Sequence, residues 1–225
     1  MRKMFAAWAL LLVTATVLGQ GLGADARSAG RPIAMGRLPD VPESETVRAK
    51  FLSQEWSPGV VTFKNGAPSM AVPLLFDEFG EKLYYLQNNL TMEFNNPVAS
   101  FTLMLIIKGD SGYVTYKNGF PAIHKNTSET FYEVVVDGKY ELLKCRAKTI
   151  GLYKEDVPEE RRSNQIKEML YALLPDGQMT EVKKDKDYLC ALPKYGNTIK
   201  NVADTKKLKL KNEKGLIELF AYLNQ

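Results

Sequence analysis

The chain has 225 residues, with 30 Lys and Arg against 26 Asp and Glu, a formal net charge of +4 and one histidine. So small a positive excess gives no global electrostatic argument for nucleic acid as a partner. With two cysteines 45 positions apart and a single histidine, the closely spaced Cys or His pairs of a zinc site are missing, and neither a metal nor a cofactor is expected.

The first 19 residues open with Arg2 and Lys3 and continue in an apolar run from Phe5 to Leu18, interrupted only by Thr14 and Thr16. This is the layout of a secretory signal peptide, and the run is shorter than the roughly 20 residues that span a bilayer as a helix. Small or modest residues before Gln20 and before Asp25 offer two cleavage positions. Removal of residues 1–19 lowers the formal charge from +4 by the two cations Arg2 and Lys3. The expectation is export to the periplasm, cell surface or medium, with no integral membrane segment in the processed chain. Residues 20–42 are rich in Gly, Ala, Arg, Ser and Pro without an apolar period, which predicts a disordered leader. A β-rich core is then expected over 43–185 and a helical segment packed on it over 186–225.

The core opens on a phrase that the chain writes twice, VTFKNGAP from Val61 and VTYKNGFP from Val114. Asn-Gly after alternating apolar residues predicts a two-residue hairpin of type I′, whose central residues both need positive φ. Gly59 and Gly112 extend the correspondence upstream. Each copy leads into a further strand pair, one turning at Glu78 to Glu81 and one at Asp137-Gly138. Between the copies, Asn95-Asn96-Pro97 breaks the chain before a strongly apolar strand from Ala99 to Ile107, which is expected to be central. A last hairpin turns at Pro175-Asp176-Gly177, after a charged stretch that contains KEDVPEERRSN, for about nine strands in all by propensity.

Beyond it, a short helix is expected near Asp187, stopped by Pro193, and a second carries Ile199, Val202 and Ala203 on one face. A third is N-capped by Asn212, with Leu216, Leu219, Phe220 and Leu223 at helical spacing. The ten lysines from Lys183 to Lys214 read as the solvated side of these helices. The fold class is therefore α+β and mainly β: an antiparallel, hairpin-rich sheet, as a sandwich or a partly open barrel, covered by C-terminal helices.

The segments YKNGFP, TFYEVVVDGKYELLK, LYALLPDGQM and the closing TKKLKLKNEKGLIELFAYLNQ resemble a family of exported proteins of unassigned function in Bacteroidota. The resemblance covers roughly Val60 to the end. It implies export and a β-rich core with terminal helices, and it transfers no catalytic residue.

His124 is the one histidine any Ser-His-Asp or Cys-His arrangement must use, and it follows a turn beside Lys125 and Asn126, where a solvated ring is expected. Phe120, Pro121 and Ile123 with His124 form a candidate binding surface at that turn. Cys145 and Cys190 leave two readings open, a disulfide or two unpaired thiols. Asn89 and Asn126 begin Asn-x-Ser/Thr triplets, read here as accidental in a bacterial exported protein. The leading expectation is a secreted, non-enzymatic module that binds a protein or glycan at the cell envelope. The alternative is a carboxylate-dependent hydrolase of polysaccharide or cell wall, which needs two carboxyl groups held apart across a cleft.

Overall fold

A computed structural model describes residues 30–32, 51–53, 55–107, 110–149 and 165–225. The expected signal peptide, nearly all of the leader and the KEDVPEERRSN stretch lie outside them. Eleven strands form one antiparallel sheet: β1 (Gly30–Pro32), β2 (Ser57–Phe63), β3 (Met70–Asp77), β4 (Lys82–Gln87), β5 (Leu90–Phe94), β6 (Val98–Ile107), β7 (Asp110–Lys117), β8 (Tyr132–Val136), β9 (Glu141–Thr149), β10 (Gln165–Leu173) and β11 (Met179–Val182). Three helices follow, α1 (Lys186–Cys190), α2 (Gly196–Thr205) and α3 (Glu213–Leu223). The spatial order is β1-β5-β4-β3-β2-β6-β7-β8-β9-β10-β11, so the expected apolar strand does sit in the middle. Within the expected leader, Gly30–Pro32 pairs with β5 as an edge strand.

The order from β5 to β6 has a geometric consequence. β5 and β6 lie at opposite ends of a five-strand run, four spacings or about 19 Å apart if the sheet were flat. Only residues 95–97 join them, and the four steps from Phe94 to Val98 reach at most about 14 Å. The sheet must therefore roll, bringing β5 back over β2. Phe63 and Phe94 meet inside the roll with ring centroids 5.6 Å apart. Leu74, Phe76, Tyr85, Phe101 and Leu103 fill it. The roll stays open, because the sheet continues through β6 into β7 and a second half.

That second half is stitched on by a short ladder, Tyr116↔Glu133 and Lys117↔Tyr132. In β9 neighbouring leucines serve opposite faces. Leu142 packs under the helices with Leu170, Leu189, Ile199, Leu216 and Phe220. Leu143 joins Phe120, Tyr132, Cys145, Tyr171 and Met179 beneath the segment that follows β7. The helices cover the sheet as the apolar spacing predicts. Asp185 caps α1 by accepting from the Tyr188 N–H, and Asn212 caps α3 by accepting from the Gly215 N–H. Asn224, at the end of α3, locks the helix to the β8–β9 hairpin, its Oδ1 accepting from the Tyr140 N–H at 2.8 Å.

The repeated phrase builds something other than paired hairpins. Phe101 of β6 pairs with Val61 on one side and with Tyr116 on the other. The two copies are thus the two strands that flank the central one, running parallel to each other. Each ends against the start of β6: the Lys64 N–H donates to the Pro97 carbonyl and the Asn118 N–H to that of Ala99. Neither Asn-Gly forms a type I′ turn, since Gly66 and Gly119 have positive φ and Asn65 and Asn118 do not. The turn with that geometry is Asn88-Asn89, both residues near φ +55 between paired Gln87 and Leu90. The expected turns at 78–81, Asp137-Gly138 and Pro175-Asp176-Gly177 do close hairpins.

Cys145 and Cys190 are free thiols on opposite faces of the sheet, one in the cluster under the β7–β8 segment and one packed against the helical core. The sheet lies between them, and no bridge forms. Burial, with the Glu81 charge adding to it, pushes the Cys145 thiol up to about 11. A thiol reagent is therefore expected to leave Cys145 unmodified in the native chain and to modify both cysteines after unfolding. Loss of mobility difference between reduced and non-reduced samples checks the same point; a native shift on reduction would contradict it.

Candidate functional site

Where the roll meets the second half, five elements converge on two cations of β9. Lys144 and Arg146 project on one face because alternate residues of a strand do so. Lys144 is buried and its Nζ lies 2.6 Å from Glu213 at the start of α3 and 3.5 Å from Glu133 of β8. Arg146 contacts Glu78 of the β3–β4 turn at 3.4 Å, Glu133 at 3.3 Å and Glu168 of β10 at 3.1 Å. It also donates to the Tyr116 hydroxyl oxygen at 3.4 Å. Burial holds the Tyr116 phenol far above its ordinary range, so it stays neutral. Three carboxylates around one guanidinium leave it no unmatched charge to offer an anion.

Two concavities share Arg146. The larger, about 580 Å³, opens between residues 52, 53 and 55–58 and the end of β6, lined by Leu52, Trp56, Pro58, Met104, Leu105 and Ile106, with the polar groups of Ser53, Glu55 and Ser57. Its size falls in the range of small-ligand sites. The smaller, about 260 Å³, lies between the β3–β4 turn and the segment after β7, lined by Glu78, Glu81, Lys125, Asn126, Thr130 and Cys145. Burial raises the Glu81 carboxyl, opposed by its hydrogen bond to Thr130 and by Lys125.

The chemistry within reach is limited. Glu78 and Glu81 both belong to the β3–β4 turn and line the smaller cavity. Cys145 is a neutral thiol without a histidine among the cavity's lining residues. Among the described residues no group of three or more His, Cys, Asp or Glu is placed to hold a metal ion.

The expected contact surface at the turn is divided by the structure. Phe120 is buried, its ring edge-on to Tyr132 at 5.5 Å, and Ile123 packs half-buried on the same cluster. Pro121 is exposed. His124 is exposed at φ +53, with Nε2 3.6 Å from Glu181. Asn126 of the second Asn-x-Ser/Thr triplet is buried and donates to the Tyr132 hydroxyl oxygen at 2.9 Å. Sequence reasoning passed over Trp56 and Arg146. The available signal was Lys144 and Arg146 two apart in a strand with apolar neighbours, which demands nearby acids.

No protein family, curated protein or solved structure matches the chain.

Proposed function

We propose that the chain is an exported, non-enzymatic module of the cell envelope, related to the Bacteroidota proteins it resembles, and that it binds a glycan in the cleft beside Trp56. The basic-then-apolar opening of the sequence supports export. One observation carries the binding reading: the cleft is walled by an indole, aliphatic side chains, small hydroxyls and the Glu55 carboxylate, while its one cation, Arg146, is already matched by carboxylates. An aromatic face with a few placed polar groups suits the apolar face and hydroxyls of a sugar ring.

Trp8 lies in the expected signal peptide, so Trp56 is the one indole of the processed chain and its emission reports this cleft alone. Soluble cell-wall glycan fragments are expected to shift that emission saturably, and Trp56→Ala to weaken retention on immobilised glycan by about tenfold or more. Emission unchanged by every fragment, with retention of an envelope protein instead, would reassign the cleft to a protein segment and sink the glycan reading.

A further inference from the structure

The outer face of the roll borders the cleft and shares Pro58, Met104 and Ile106 with its lining. Pairing places Val60 opposite Ala71 and Thr102, and Thr102 opposite Thr115, whose hydroxyls are 2.9 Å apart. Met104 pairs with Tyr113 and Ile106 with Ser111 on the same face. Across β3, β2, β6 and β7 the outward positions from Ala71 and Pro73, through Pro58 to Val60 and Thr102 to Ile106, to Ser111, Tyr113 and Thr115, hold no charged residue; the face ends at the row of Thr62 and Ser100, where Lys117 stands opposite Ser100 and is ion-paired with Asp137. A quarter of the whole chain is charged, so a sheet face without charge departs from the composition of the rest. Three of its residues are large and exposed: Val60 at 46%, Ile106 and Tyr113 at 79%. Strands facing water ordinarily alternate apolar-in with polar-out and guard such a face with charge.

We propose that this face packs against the same face of a second copy of the chain. A sheet face four strands wide and six residue steps long covers about 400 Å² in projection, and side-chain relief brings it to about 600 Å² per copy. Two copies then bury about 1,200 Å², the lower bound of a stable specific interface. Charge favours the same occupant. The chain carries a net positive charge, and two copies meeting through this face bring no unmatched like charges together at the contact, since its bordering cation, Lys117, is ion-paired with Asp137. A twofold axis through β2 and β6 makes the patch self-complementary, with Ile106 and Tyr113 of one copy over the small threonines and Val60 of the other.

This reading does not rest on the glycan proposal; the face and the cleft share Pro58, Met104 and Ile106, whereas Val60 and Tyr113 lie outside the cleft lining. Sedimentation of the processed chain from micromolar to submillimolar concentration is expected to give the mass of two chains. Val60→Lys and Tyr113→Lys should each weaken association by about tenfold or more, with circular dichroism and thermal midpoint unchanged. A single-chain mass at every concentration overturns the proposal, including the case in which another segment of the same chain covers the face. A dimer indifferent to both substitutions overturns it as well. Absence of a glycan response in the Val60→Lys and Tyr113→Lys chains, where the face is uncovered, would instead count only against the cleft.

Discussion

Replacing Arg146 with methionine is expected to destabilise the fold by about 3 kcal/mol, because the cost of removing one member of a buried ionic group falls on the partners left behind. Glu78 and Glu133 keep only 5% and 16% of their side-chain surface in water, so neither regains full hydration when the guanidinium leaves. Glu168 is 45% exposed and contributes little to the penalty. The same argument predicts partial rescue: Arg146→Met with Glu133→Gln should lose less than the single change, since a neutral amide is cheaper to bury than a carboxylate left with Lys144 alone, which Glu213 also engages. Urea unfolding of the two variants and of Glu133→Gln alone gives the coupling directly. A loss under about 1 kcal/mol for Arg146→Met would mean that water solvates these acids freely.

The network also explains how the two halves of the sheet act together. Their direct ladder is two residue pairs long, yet Glu78 comes from the roll, Glu168 and Arg146 from the second half, and Glu133 from the strand between. Glu81 sits on the same turn as Glu78 and responds to pH in a defined direction. Its folded-state carboxyl is raised above the ordinary glutamate value by burial, so the folded state holds that proton more tightly than the unfolded chain does. The stability it contributes is present below the unfolded value and is lost as pH rises through the folded one. Glu81→Gln is therefore expected to gain on the parent protein as pH climbs from the ordinary carboxylate range toward neutrality, and to match it in acid.

What could be read from the residues divides along physical lines. Local signals carried through: Asn212 as a cap, the Leu216, Leu219 and Phe220 stripe, and the Pro175-Asp176-Gly177 reversal each depend on a few neighbouring residues. The Asn-Gly pairs misled because a turn type is also set by what the strand ends touch. At Lys64 and Asn118 the backbone is already bonded, to Pro97 at the end of the β5–β6 connection and to Ala99 at the start of β6, so each strand finishes there rather than reversing in two residues. Asn88-Asn89 carries a weaker sequence signature, because Asn enters positive φ more readily than most residues with a Cβ but at a cost that glycine does not bear. The roll and the Arg146 site were illegible for another reason. Glu78 and Arg146 are 68 positions apart, and nothing local records a meeting created by a three-residue connection that bends five strands.

The interior of that roll yields the second large effect. Phe101→Ala is expected to cost about 3–5 kcal/mol, the range for deleting a buried ring and leaving part of its volume empty. Phe101 is 1% exposed, stacks on Tyr116 at 5.1 Å with ring planes 10° apart, and meets Phe76 at 4.9 Å and Phe131 at 5.1 Å. These partners come from β3, β7 and the approach to β8, all anchored in the sheet, so they cannot collapse far into the gap. Phe101→Leu keeps an apolar side chain there and should lose markedly less. Because Phe101 is also where the two copies of the repeated phrase meet β6, the loss should be felt on both flanks of the sheet. Trp56 emission follows the roll and the helical circular dichroism band follows the other half. Coincident urea transitions by the two probes, both shifted by Phe101→Ala with slope unchanged, are expected of one cooperative unit. Separate transitions, with only the Trp56 signal shifted, would show instead that the short β7–β8 ladder and the Arg146 cluster do not couple the halves.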